Sequence, residues 1–201
     1  MERYNLASIT KLIYDSGFSF FDGKTIRDVL EIRKESTFFS VIQKLIEAQV
    51  LIKIERDKYL LKGAKGSNFA LANFLYQPSY ISFESALNFY GILSQFPYEI
   101  SSATTKKPTK KIFQNKAFTY AQIKKDLFWG YEKKEDFIIA FPEKALFDQL
   151  YLAAKGYKKA NLDGYDLERI SVPRLRKYLA KYPKTRQFKN SLETLRKYIC
   201  L

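Results

Sequence analysis

The stretch from Glu35 to Leu61 constrains this chain most, because its hydrophobic period changes once, from helical to extended. In Glu35-Ser-Thr-Phe-Phe-Ser-Val-Ile-Gln-Lys-Leu-Ile-Glu-Ala48 the apolar residues Phe38, Val41, Ile42, Leu45 and Ile46 recur at i, i+3, i+4, i+7 and i+8. That spacing lays them on one stripe of a 3.6-residue helix. The opposite face carries Ser36, Thr37, Ser40, Gln43, Lys44 and Glu47, with Ser36 as the expected N-cap. Phe39, at the edge of the stripe, is expected to pack against the preceding helix. From Val50 the period drops to two: Ile52 and Ile54 alternate with Lys53 and Glu55, Arg56-Asp57 interrupts, and apolar character resumes at Tyr59. The pattern predicts a helix feeding directly into a short basic hairpin.

Two more helices are expected before it. Leu6 to Tyr14 turns Leu6, Ile9, Leu12 and Ile13 inward and ends at Asp15-Ser16-Gly17. Phe18, Phe20 and Phe21 then read as an anchor on the core. A second helix from Lys24–Thr25 brings Ile26, Val29, Leu30 and Ile32 inward, and Arg33-Lys34-Glu35-Ser36 makes the turn. Helix, helix, turn, helix, hairpin is the layout of a winged helix-turn-helix, expected over residues 1–63. An ordinary helix packed on a hairpin is the plainer alternative. In the first layout Ser36, Thr37, Ser40, Gln43 and Lys44 face the bases of double-stranded DNA, while Lys53, Arg56 and Lys58 of the hairpin hold phosphates. No arginine, the usual reader of guanine, lies on this helix face.

Lys62-Gly-Ala-Lys-Gly-Ser67 reads as a linker to a second domain over 67–201, making the whole chain α+β, its second domain a mixed α/β unit with a short sheet and terminal helices. Helices are expected at Asn68–Tyr76, after an N-cap at Ser82 with Gly91 closing it, and from Pro142. Strands are expected at Glu99–Thr105, Lys111–Gln114, Ala117–Ile123, Leu127–Tyr131 and Phe137–Ala140. The segment 154–201 reads as a basic helical tail: Leu175, Tyr178, Leu179 and Tyr182 stripe one helix, and Phe188, Leu192, Leu195 and Ile199 the next. Lys106, Lys107, Lys110 and Lys111, in a loop with no acid, are further expected phosphate contacts.

Charge and missing residue types narrow the chemistry. The net charge of +14 suits a polyanion, but residues 155–201 hold 13 basic and 4 acidic side chains, against 12 and 9 in residues 1–66. The chain has no histidine and one cysteine, Cys200, which excludes the usual zinc sites, Ser-His-Asp triads and any intramolecular disulfide. No cofactor or metal site is expected, and no catalytic residue. The competing reading is a metal-dependent nuclease, or an inactive relative of one, built on Glu132-Lys133-Lys134 with Asp126, Glu135 and Asp136. These acids are expected in a charged, turn-like stretch, where solvation explains them. Lys144 and Asp148, four apart, are expected to form an intrahelical ion pair. No apolar run is long enough to span a membrane and no signal-peptide layout is evident, so a reducing cytoplasm is the expected compartment.

Two blocks carry a resemblance over roughly residues 4–153: Tyr80-Ile-Ser-Phe-Glu-Ser-Ala-Leu-Asn-Phe-Tyr-Gly91 and Ile139-Ala-Phe-Pro-Glu-Lys-Ala-Leu-Phe-Asp148. With the N-terminal layout, and Ala103-Thr-Thr105 before a basic stretch, the chain resembles the AbiEi antitoxins of bacterial abortive-infection systems. The resemblance implies a two-domain antitoxin whose winged helix represses its own operon at promoter repeats. It also implies a C-terminal domain that counters a cognate nucleotidyltransferase-type toxin without a stable complex. The chain departs from that family in having Gln49 where glycine is common before the first wing strand. It also has lysine, a point charge, where the family favours arginine in the basic stretch.

Overall fold

Side-chain caps start the first helices where the sequence places polar residues ahead of apolar ones. The computed structural model describes residues 4–158 and 161–199, so Cys200 lies outside the described residues. The chain is α+β, with eight α-helices and two sheets among the described residues, and it divides into two units, Met1–Gly66 and Ser67–Leu201. In the first unit Asn5 accepts from Ser8 N at 2.8 Å to open α1 (Leu6–Asp15). Asp22, the last residue of β1 (Phe20–Asp22), accepts from Thr25 N at 2.8 Å to open α2 (Gly23–Leu30). There follow α3 (Glu35–Glu47), β2 (Leu51–Glu55) and β3 (Lys58–Leu61).

The three strands form one antiparallel sheet in the order β1-β3-β2, with Phe20 opposite Leu60. β1 is legible in the sequence only as an anchor, because three residues are too few to show an alternation. Ile9, Ile13, Phe21, Ile26, Phe38, Leu45 and Leu51 fill the core. Leu6 and Leu12, expected inside, are 43 % and 46 % exposed: α1 turns only Ile9 and Ile13 fully inward. Ser36 is not the N-cap. Lys34 holds that position without a side-chain bond, and Ser36 sits inside the first turn. Phe39 is also not packed on α2; it is 60 % exposed, and Phe38 takes the inner place with the Arg27 guanidinium 3.9 Å over its ring. Gln49 adopts a left-handed backbone (φ +55), which glycine reaches without steric penalty.

The second unit begins with α4 (Asn68–Leu75), capped by Ser67, and continues with β4 (Ser79–Ile81), α5 (Phe83–Phe89), β5 (Glu99–Thr104), β6 (Thr109–Phe113) and β7 (Lys116–Gln122). Then come β8 (Tyr131–Lys134), β9 (Phe137–Ala140), α6 (Pro142–Ala154), α7 (Val172–Leu179) and α8 (Arg186–Arg196). The strands make a six-stranded mixed sheet, β6-β7-β5-β4-β9-β8, in which β5 with β7 and β4 with β9 run parallel. On one face Tyr120 donates to Ala72 O of α4 at 2.6 Å and Phe137 packs edge-on against Phe69. On the other, Ser101 bonds Ser85 of α5 and Tyr80 bonds Asp148 of α6.

One strand is new here, and two expectations change. β4 is a buried central strand whose three residues carry no alternation, so the sequence shows it only as a lead-in to α5. Leu127–Tyr131 is not a strand: Lys125–Leu127 is a single 3-10 turn, and β8 starts at Tyr131. Residues 154–201 are not an appended tail, because Leu175, Tyr182, Phe188, Leu192 and Leu195 are buried, with Phe188 beside Phe147 of α6 and stacked on Tyr182. That covering leaves every α6 residue from Glu143 to Leu152 buried. No helix among the described residues is long and apolar enough to cross a membrane.

Candidate nucleic-acid interface

On α3 the inward stripe of Phe38, Val41, Ile42 and Leu45 fixes the rotation of the helix, and the polar row is what remains outside. Ser36, Ser40, Gln43 and Lys44 are exposed there and Thr37 is half-buried. The row is mostly neutral and consists of groups that can hydrogen-bond base edges or phosphate oxygens. The Gln43 amide donates to Glu47 Oε1 at 2.8 Å, which leaves its second N–H and its carbonyl oxygen available. Phe39 adds an exposed aromatic surface to the same helix.

The hairpin supplies Lys53 and Arg56, both exposed and without an ion-pair partner among the described residues. Lys58 is half-buried and pairs with Glu55 at 2.8 Å, which leaves it the weakest of the three as a phosphate ligand. Arg33 and Lys34, which the sequence marks only as a turn, are two further cations. Both are exposed at the N-terminal end of α3, and the signal that finds them is their position beside the cap.

The lysines of 106–111 do not form one loop. Lys106 and Lys107 are exposed in a short connection, whereas Lys110 and Lys111 lie on β6, where the pleat sends them to opposite sides of the sheet. Lys110 pairs with Glu99 at 2.8 Å, and the ammonium groups of Lys106 and Lys111 stand 5.5 and 5.7 Å from the Tyr76 ring centre.

Of the carboxylates of the nuclease reading, Asp126 on a 3-10 turn and Glu135 in the β8–β9 turn are exposed, as solvation predicts, whereas Glu132 and Asp136 have structural partners. Glu132 lies on β8 beside Lys134 (3.6 Å) and accepts from the Tyr90 hydroxyl (3.4 Å); Asp136 accepts from the Ser67 N–H and hydroxyl at 2.9 Å each. Among the described residues no three His, Cys, Asp or Glu side chains are grouped to hold a metal ion.

Lys144 and Asp148 do pair along α6, but in a place the sequence does not reveal. Both side chains are fully buried. Asp148 Oδ2 accepts from the Tyr80 and Ser82 hydroxyls at 2.9 Å each, and Oδ1 accepts from Tyr182 at 2.8 Å and from Lys144 Nζ. Lys144 Nζ also donates to the Tyr80 oxygen at 2.9 Å. Ser82 occupies the N-cap position of α5, yet its hydroxyl serves Asp148, and Ser101 Oγ of β5 accepts from Ser85 N at 3.3 Å in its place. Gly130 (φ +75) passes so close that an added Cβ would meet Lys144 at 3.1 Å. The two sequence blocks Tyr80–Gly91 and Ile139–Asp148 thus meet at one buried polar cage that joins β4, α5, α6 and the segment following α7.

Burial, and then the Asp148 charge, push the Tyr80 and Tyr182 hydroxyls well above the usual tyrosine value; burial lowers Lys144, with Asp148 opposing. For the tyrosines the native pKa is raised, so their stabilisation is complete below the unfolded value of about 10 and is lost as pH rises beyond it. Above that value, stability is expected to fall by about 1.4 kcal/mol per pH unit for each such tyrosine. Denaturant unfolding at stepped pH values above neutrality checks this: phenolate absorbance from these residues should appear with unfolding, and phenolate formation in the folded state would contradict it.

The chain matches no protein-family model and no curated protein.

Proposed function

We propose that the first unit is a winged helix that lays α3 in the major groove of double-stranded DNA. The protein is then a promoter-binding repressor of its own operon and a non-catalytic antitoxin against a nucleotidyltransferase-type toxin, the role implied by its resemblance to AbiEi antitoxins. The observation that carries the DNA reading is the row Ser36, Thr37, Ser40, Gln43 on α3, polar and facing solvent directly ahead of the β2–β3 hairpin. Lys53 and Arg56 hold flanking phosphates, joined by Arg33 and Lys34 at the start of α3. Footprinting of the full chain on the DNA upstream of its coding sequence is the test. Protection of repeated half-sites at physiological salt is expected; uniform binding to unrelated duplexes would remove the repressor reading.

The second unit adds phosphate contacts of its own through Lys106 and Lys107. Replacing both by alanine is expected to weaken binding to all duplexes alike and to reduce the slope of log K against log salt by about 0.9 for each phosphate no longer neutralised. Lys110→Ala, starting from an ion pair with Glu99, is expected to change that slope less. A slope unchanged in the Lys106, Lys107 variant shows that the connection does not touch phosphate.

A further inference from the structure

Among the described residues of α3, Phe39 is the one exposed apolar side chain; the rest of the exposed set is polar or charged. Its ring is 60 % exposed, yet it is not loose. It meets the Phe38 ring edge-on, with the two centres 5.6 Å apart, and Phe38 is itself buried and stacked by the Arg27 guanidinium. A ring held in this way has little rotamer freedom left to lose when a partner covers it. Along the helix Phe39 lies between Ser36 at i−3 and Gln43 at i+4, so it adjoins the polar row directly.

In the major groove the apolar group on offer is the 5-methyl of thymine, and phenylalanine is one of the side chains suited to contact it. Four residues of helix rise about 6 Å and base pairs stack about 3.4 Å apart, so Phe39 and Gln43 reach base pairs one or two steps apart. Gln43, with one N–H and its carbonyl oxygen available, suits adenine. Packing the Phe39 ring on a methyl takes apolar surface of both out of water. Against a phosphate the same ring gains neither a hydrogen bond nor a charge pair.

We propose that Phe39 is a specificity-determining residue that packs on the 5-methyl group of a thymine, one or two base pairs from the base that Gln43 contacts. This rests on α3 entering the major groove and names a feature that the helix selects there. Uracil in place of thymine removes that methyl and nothing else, so gel shifts of the full chain on half-sites found by footprinting, with each thymine replaced in turn, are the test. One position per half-site is expected to cost the natural protein about fourfold in affinity, the worth of one methyl group leaving water. Phe39→Ala is expected to bind the thymine site about tenfold more weakly and to bind its thymine and uracil forms alike at that position. Its thermal midpoint should barely move, since Phe39 lies outside the core. A half-site with no methyl-sensitive thymine would overturn the proposal with the natural protein alone. A Phe39→Ala protein that still loses about fourfold on the same replacement overturns it too, because another side chain then reads the methyl. A footprint that persists with either of these results removes only this inference, whereas absence of any footprint removes the DNA reading and this inference with it.

Discussion

Asp148→Ala is expected to destabilise the second unit by about 3–5 kcal/mol, the range for removing one partner of a buried ion pair. The geometry explains why so much rides on one carboxylate. Four donors from four segments, Tyr80, Ser82, Lys144 and Tyr182, converge on its two oxygens. With the carboxylate gone, a buried ammonium loses its counter-charge and three hydroxyls lose their acceptor. Lys144 then has to shed its proton, recruit water or pull out of the core. Folded domains have only about 5–15 kcal/mol in total, so the variant is expected to be close to unfolding at physiological temperature. Replacing both ends of the pair, Lys144→Met with Asp148→Leu, is expected to destabilise less than Asp148→Ala alone, because apolar groups leave no buried charge behind. Urea denaturation of the three proteins gives the comparison. A single variant no less stable than the double one means that the pair is not desolvated as described.

The second large effect belongs to α3. Gln43→Ala combined with Lys44→Ala is expected to lower affinity for the promoter site by about 30-fold or more, on the basis of about 1–3 kcal/mol for each good base contact. Affinity for unrelated duplex should drop far less, since one phosphate-capable cation is removed and the hairpin cations Lys53 and Arg56 remain. The two substitutions lie on the exposed row and touch none of the core residues Phe38, Val41 and Leu45, so the thermal midpoint should barely move. Gel shifts on site and non-site DNA at two salt concentrations measure both effects. Parallel loss on the two DNAs would show that α3 supplies charge but reads no bases.

The sequence is most informative where local periodicity alone decides the structure. The stripe Phe38, Val41, Ile42, Leu45 locates α3 within a residue at its C-terminal end, and the alternation around Lys53 locates the hairpin, because both patterns span enough residues to repeat. β1 and β4 have three residues each and no repeat to show. Their place is set by partners far along the chain: Phe21 faces Tyr59, and Ile81 faces Ile139. The edge of a stripe points Phe39 inward, but the core has room there for one aromatic and Phe38 occupies it.

Sequence by itself determined the inward stripe Phe38, Val41, Ile42 and Leu45 of α3, where the chain divides near Gly66, and which acids and cations exist to do chemistry. Only tertiary structure decided what those charges do. The spacing of Lys144 and Asp148 makes them neighbours on any helix, but whether that pair is a solvated surface contact or the buried centre of a cage depends on what packs over α6. Tyr80 and Tyr182, 64 and 34 residues away from their partners Lys144 and Asp148, supply that cover. The lysines of 106–111 are close in sequence, yet Lys106 and Lys107 sit in a connection and the pleat of β6 sends Lys110 and Lys111 to opposite sides. Desolvation and pairing depend on distance in space, which the order of residues alone does not contain.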